Sequence, residues 1–272
     1  MYKLEQNYRS TRNIVEAANG VIAKNKDQIK KKVWTANDGG DKINVTRTLT
    51  DNEEGKVITQ KIYDKAKNEG LSYNDFAILY RTNRQSRSFE EALRKLNVPY
   101  KIYGGLSFYQ RKEIKDLLAY FRLAANQQDE EALKRVINYP KRGIGKTSYE
   151  NVVIAASQYG VSPWEVISDF SRYPVQLNTG AKNRIGEFVT MIKSFTAQLD
   201  RTDADVLAQD IARSSGILKE LNSEKDKGPE EVERYQNIEE LLSAIKEFTI
   251  SRDPGESKSL SEFMLDVCLL YT

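Results

Sequence analysis

Three segments of the 272-residue chain gather residue types that hold phosphates. The richest is Asn138-Tyr139-Pro140-Lys141-Arg142-Gly143-Ile144-Gly145-Lys146-Thr147. Gly-Ile-Gly between two helices makes a tight turn with exposed backbone N–H groups. Those groups, with the N-terminus of the next helix, can hold a phosphate. Lys141, Arg142 and Lys146 put positive charge at the same place. Such an element grips a nucleic-acid backbone without reading its sequence. The alternative is an ordinary interhelical turn with solvated lysines. Gly145-Lys146-Thr147 also matches the tail of a Walker A loop. That loop needs a glycine where Pro140 stands, and a strand where helical residues precede.

The second segment is Leu79-Tyr80-Arg81-Thr82-Asn83-Arg84-Gln85-Ser86-Arg87, directly after an apolar run. Ligands of α/β sheets bind beyond the carboxyl ends of strands. Three arginines with Asn and Thr there suit a nucleic-acid backbone; a helix start with solvated arginines is the alternative. The third is Leu4-Glu5-Gln6-Asn7-Tyr8-Arg9-Ser10-Thr11. Tyr8 could stack on a base and Arg9 reach a phosphate, or the two could be a surface pair.

Much other chemistry is excluded. There is no histidine, and Cys268 is the single cysteine. Ser-His-Asp and Cys-His triads, His-ligated metals, internal disulfides and zinc clusters are therefore ruled out, and no metal site is expected. Cys268, in an apolar stretch, reads as a buried small hydrophobe. Residues 1–150 carry 29 Lys/Arg against 19 Asp/Glu, net +10, and residues 151–272 carry 13 against 20, net −7. The first half alone suits a polyanion, with solubility charge on helix faces as the alternative. No run approaches the roughly 18 apolar residues of a membrane span, and no apolar signal core opens the chain, so a cytoplasmic protein is expected.

The elements that must position these segments change character along the chain. Up to about residue 103, helices alternate with strand-like runs. Helical spacing follows Ile14/Val15/Ala18/Val21/Ile22, then Val57/Ile58/Ile62/Ala66, then Phe89/Ala92/Leu93/Leu96. Ser10 or Thr11 caps the first helix, and Asp51 or Asn52 the second. Strands are predicted at 42–49, 76–80 and 98–103, with Phe76-Ala77-Ile78-Leu79-Tyr80 buried on both faces. Such alternation implies a thin parallel sheet under helices. Gly104-Gly105 breaks the pattern. Beyond it the periodicity is helical throughout, around residues 114–121, 133–137, 152–156, 164–167, 185–195, 206–212, 238–248 and 263–270. The expected fold is α/β followed by a larger all-α domain, with a hinge at 104–105.

In this order the segments resemble superfamily 1A DNA helicases of the UvrD/PcrA/Rep family. Gln6-Asn7-Tyr8-Arg9-Ser10-Thr11 resembles the family's motif IV, and Leu79-Tyr80-Arg81-Thr82-Asn83 with Gln85-Ser86-Arg87 its next block. Tyr103-Gly104-Gly105-Leu106-Ser107-Phe108-Tyr109 and Glu113-Ile114-Lys115-Asp116 look like the passage from the 2A domain into the inserted 2B domain. Pro140-Lys141-Arg142-Gly143-Ile144-Gly145 looks like the duplex-contacting element of 2B.

The resemblance implies a partial RecA-like 2A domain at 1–104 and a helical 2B domain at 105–272. It implies that Tyr8 stacks on the adenine of ATP and that Arg9 reaches the γ-phosphate as the catalytic arginine. Arg81 and Asn83 would touch single-stranded DNA. Lys141, Arg142, Gly143, Ile144, Gly145, Lys146 and Thr147 would touch duplex phosphates. The parent would use ATP and Mg²⁺ to move 3′→5′ along one strand and unwind duplex in repair or replication, alongside other repair or replication proteins. Walker A, the Asp-Glu magnesium box and motifs V and VI are missing, so the chain is expected to be a monomeric fragment, without bound ATP and without ATPase activity of its own. A recombination helicase–nuclease subunit and a helical protein-interaction domain are the alternatives.

Overall fold

The computed structural model describes residues 4–25, 31–103, 105–253 and 256–269. Its helices are α1 (Arg12–Ile22), α2 (Asp51–Glu69), α3 (Ser86–Lys95), α4 (Lys112–Ala125), α5 (Glu130–Val136), α6 (Lys146–Tyr159), α7 (Pro163–Ser168), α8 (Thr179–Thr196), α9 (Ala204–Ser214), α10 (Ile217–Glu224), α11 (Pro229–Ser251) and α12 (Leu260–Leu269). The chain forms two compact units, Met1–Thr50 and Asp51–Thr272.

The first unit is α1 and the loop that caps it. Thr11 occupies the N-cap position but makes no side-chain cap bond. The first amides of α1 are satisfied instead by the loop: Arg12 and Asn13 donate to the carbonyls of Asp38 and Gly39 at 3.0 and 3.1 Å. Gln6 and Trp34 form one isolated parallel bridge, with Asn7 N–H donating to Trp34 O at 2.7 Å.

The second unit is built round α4. Ile114, Leu117, Ala119, Tyr120, Phe121, Leu123 and Ala124 of this helix are all buried. Only Lys112, Lys115 and Ala125 of the helix are exposed, and a helix with so broad an apolar surface must be enclosed. α5, α8, α9, α11 and α12 enclose it, through Leu133 and Val136, Ile185 and Phe188, Leu207 and Ile211, Ile238 and Leu241, and Phe263.

The helical character expected beyond residue 105 is present, whereas the expected sheet is not formed within the described residues. Among the described residues no strand ladder forms at 42–49, 76–80 or 98–103. Ile43, Val45 and Leu49 are exposed. Residues 76–80 are extended, but burial alternates along them, and Leu79 is 94% exposed. The run is therefore covered on one face, not two. With 98–103 it lines an apolar cleft of about 720 Å³ against Ile62, Phe89 and Leu93. An extended run becomes a strand only beside a partner that completes its hydrogen bonds, and neither run serves the other. Gly104, half of the expected hinge, and the side chain of Cys268 lie outside the described residues.

Helix α11 joins the α2–α3 pair by polar contacts. Arg87 of α3 is 1% exposed. Its guanidinium donates to Glu240 at 2.7 Å, Asp51 at 2.8 Å, Glu91 at 3.2 Å and Asn52 at 3.3 Å. Glu247 stands 4.0 Å away and accepts from the Asn52 amide. Burial opposes the charge on Arg87, but Glu91 and Glu240 outweigh it and hold the proton more firmly than usual. Burial likewise opposes ionisation of Asp51, and the nearby Arg87 charge still holds that carboxyl below its ordinary range. Burial pushes Glu240 and Glu247 upward. Toward the N-terminus of α11, Asn83 donates to Glu233 at 2.9 Å. Arg111 donates to Asn237 at 2.7 Å, and Asn237 to Glu113 at 2.6 Å.

Two predictions follow from this cluster. Arg87→Met should lower stability by roughly 1–3 kcal/mol, because it leaves a group of partly buried carboxylates without their shared donor; urea unfolding at neutral pH measures this. Glu247 has a raised folded pKa, so the stability it lends is present at acid pH and lost as pH rises through that value. Glu247→Gln should therefore raise the urea midpoint at pH 7–8, with the gain shrinking toward pH 4.

Candidate nucleic-acid interface

In the first unit, the Asn7 side chain fixes the motif that carries Tyr8 and Arg9. Its Oδ1 accepts from the backbone N–H groups of Arg9 at 2.9 Å and Ser10 at 2.8 Å. Asn37 clamps the same turn by donating to Ser10 O at 3.1 Å. The turn is rigid where the backbone runs and open where the side chains project. Tyr8 is 79% exposed, its hydroxyl donating to Gln6 at 2.8 Å. Arg9 is exposed and has no ion pair among the described residues. An uncovered aromatic face and an unpaired guanidinium on a pinned loop fit the base and one phosphate of a nucleotide.

In the second unit, the segment after residues 76–80 is shaped by Gln85. Its Oε1 accepts from the N–H groups of Arg81 and Thr82, both at 3.0 Å. Arg81 and Arg84 are exposed and have no ion pair among the described residues. Arg87, grouped with them in the sequence, is consumed by the buried cluster and cannot reach a ligand. Asn83 is tied at both ends, its amide to Glu233 and its carbonyl to Arg111 at 2.8 Å.

The Gly-Ile-Gly turn is organised by Asn138. Its Oδ1 accepts from the N–H groups of Arg142 and Ile144, each at 3.0 Å. Ile144 is 1% exposed and anchors the turn in the core. Gly143 has φ +72°, a conformation that a side chain makes costly. Arg142 turns inward. Its guanidinium donates to Val136 O at 3.1 Å, Pro140 O at 3.2 Å and Ser215 O at 2.6 Å, over the rings of Tyr120 and Phe188. Its place at a phosphate thus gives way to a place in the scaffold. Lys141, Gly143, Gly145, Lys146 and Thr147 are exposed. Gly145 is the N-cap of α6 and supplies no capping side chain; the Ser148 amide already donates to Gly145 O at 3.0 Å, which leaves the amides of Lys146 and Thr147 as the ones a ligand could meet. Lys146 makes an exposed pair with Glu150 at 3.6 Å, a contact worth little in water. Beneath the turn, burial and the nearby Asp116 push the Tyr139 hydroxyl up to about 12.

The family description that matches the chain, UvrD-like helicase C-terminal domain, covers residues 2–271. The chain belongs to the UvrD-like helicase C-terminal domain family. Over 267 residues it is 38% identical to the ATP-dependent DNA helicase PcrA of Staphylococcus epidermidis, covering 98% of this chain and 36% of that relative. It is 39% identical over 257 residues to PcrA of Leuconostoc citreum, covering 94% and 34%. With PcrA of Staphylococcus aureus the figures are 38% over 269 residues, 98% and 36%. The chain therefore spans about a third of the length of the relatives it matches.

Within this UvrD-like domain no helix among the described residues is long and apolar enough to cross a membrane. No group of carboxylate or cysteine side chains among them could hold a metal ion. One residue escaped the sequence reading. Arg184, on α8, lies against Gly143, 41 residues earlier in the chain, and no short-range motif signals it. Asn138→Ala should leave the Arg142 and Ile144 amides without their acceptor. A loss of roughly 1–3 kcal/mol is expected in urea unfolding.

Proposed function

We propose that this chain is the motif IV-to-2B portion of an ATP-dependent 3′→5′ DNA helicase acting in repair or replication in the cytoplasm. The observation that carries the proposal is the match to relatives named ATP-dependent DNA helicases along nearly the whole chain. The exposed cations at the Gly-Ile-Gly turn agree with it. A helicase–nuclease subunit is not favoured by these relatives.

In this reading, residues 1–104 are part of a RecA-like 2A domain and residues 105–272 are 2B. The extended runs at 76–80 and 98–103 are strands whose ladder partners belong to the longer protein. Their alternating burial and the apolar cleft beside them support this. ATP with Mg²⁺ supplies the free energy for stepping. The share that falls to this chain is Tyr8, which stacks on the adenine, and Arg9, which neutralises charge on the γ-phosphate as the bond to it breaks. Arg81 and Asn83 follow the single strand. For duplex phosphates the chain offers Lys141, Lys146, Thr147 and the amides of Gly143 and Gly145. Ile144 and Arg142 hold that surface in shape.

Fluorescence anisotropy of a labelled duplex with a 3′ tail, titrated across a salt series, tests the proposal. Two lysines on phosphates contribute about −1.8 to the slope of log affinity against log salt. Lys141→Ala with Lys146→Ala should flatten the slope by about two for any duplex sequence. Binding that ignores salt would refute the duplex grip.

A further inference from the structure

Arg184 is an exception among the arginines withdrawn from solvent. Arg87, Arg111, Arg135, Arg142 and Arg252 all reach a carboxylate, an amide oxygen or a carbonyl. Arg184 is half-buried, yet it makes no ion pair among the described residues, with Glu187 three positions on or with any other carboxylate. Its Nε is buried without a hydrogen-bond partner. An N–H left in that state costs free energy, and the guanidinium carries a charge that no carboxylate among the described residues neutralises.

The surroundings are shaped to hold it there. A Cβ at Gly143 would stand 3.3 Å from Arg184 Nε and 3.6 Å from its Cδ and Cζ. A Cβ at Gly180 would stand 3.3 Å from Nη1 and 3.6 Å from Nη2. The guanidinium fills the gap between two glycines from different segments. Gly143 has a backbone reason to be glycine; Gly180 has none. It sits in the first turn of α8 without a positive φ. The room it leaves is room for Arg184.

We propose that Arg184 is a phosphodiester contact, binding a backbone phosphate of duplex DNA that lies against the Gly143-Ile144-Gly145 turn. The inference rests on the duplex-grip reading above. Arg184 takes over the role that the sequence suggested for Arg142. Its planar fork offers two parallel N–H donors to one phosphate, beside the point charges of Lys141 and Lys146.

The test uses the 272-residue chain and the same duplex and salt series. Arg184→Gln should flatten the salt slope by about 0.9, while the urea midpoint holds or rises because an unpaired buried donor is gone. Arg184→Lys should keep the slope and bind more weakly than the wild type. Gly180→Ala should weaken DNA binding by crowding the guanidinium, although α8 gains helix propensity. Arg184→Gln and Gly180→Ala with wild-type slope and affinity would overturn the proposal while Lys141→Ala still flattens the slope, leaving the duplex grip intact. A wild-type chain with no salt-dependent binding would overturn both.

Discussion

Enclosing α4 is the constraint on which the second unit depends. A helix with Leu117, Tyr120, Phe121 and Leu123 all out of water needs neighbours around most of its circumference. Burying each such side chain is worth roughly 1.5–3 kcal/mol. That demand sets the arrangement of α5, α8, α9, α11 and α12, and so fixes where the ends of those helices emerge. The Gly-Ile-Gly turn is one such place. Ile144 points into the core, Arg142 ties the turn to Val136 and Ser215, and the lysines are left outside. The scaffold and the exposed charge are two sides of one short segment.

Helical periodicity made most of the second unit legible, because a 3.6-residue apolar stripe is a local signal. Every helix expected after residue 105 is present. α10 is the exception to that legibility: it is eight residues long and separated from α9 by only Ser215 and Gly216, so its apolar spacing merges with that of its neighbour. Strands are less legible for the opposite reason. Phe76-Ala77-Ile78-Leu79-Tyr80 has strand composition, but a strand is a relation between two chains of backbone, and composition does not reveal the partner.

The same distinction runs through the candidate interface. The positions of Tyr8, Arg81, Lys141 and Lys146 on exposed loops followed from spacing and from their glycine, proline and asparagine neighbours. The direction of each arginine did not. Arg87 and Arg142 sit among exposed cations in sequence and face inward in space. Arg184 sits in an ordinary amphipathic helix in sequence and lies against the turn in space. A guanidinium is long enough for its partner to be set by tertiary packing, which a short motif does not encode.

The carboxylates of α11 that meet the α2–α3 side, Glu233, Glu240 and Glu247, recur every seven residues, or about 10.5 Å along the helix. Sliding α11 by one turn toward its own N-terminus would set Asn237 opposite Asn83 and Ala244 opposite Arg87, leaving that buried charge facing a methyl group. Intermediate registers are thus penalised, and gradual shear along this seam is closed to the protein. The seam works like a toothed rack: the carboxylates can mesh only at whole seven-residue steps, so a rearrangement here proceeds by a jump and not by a glide.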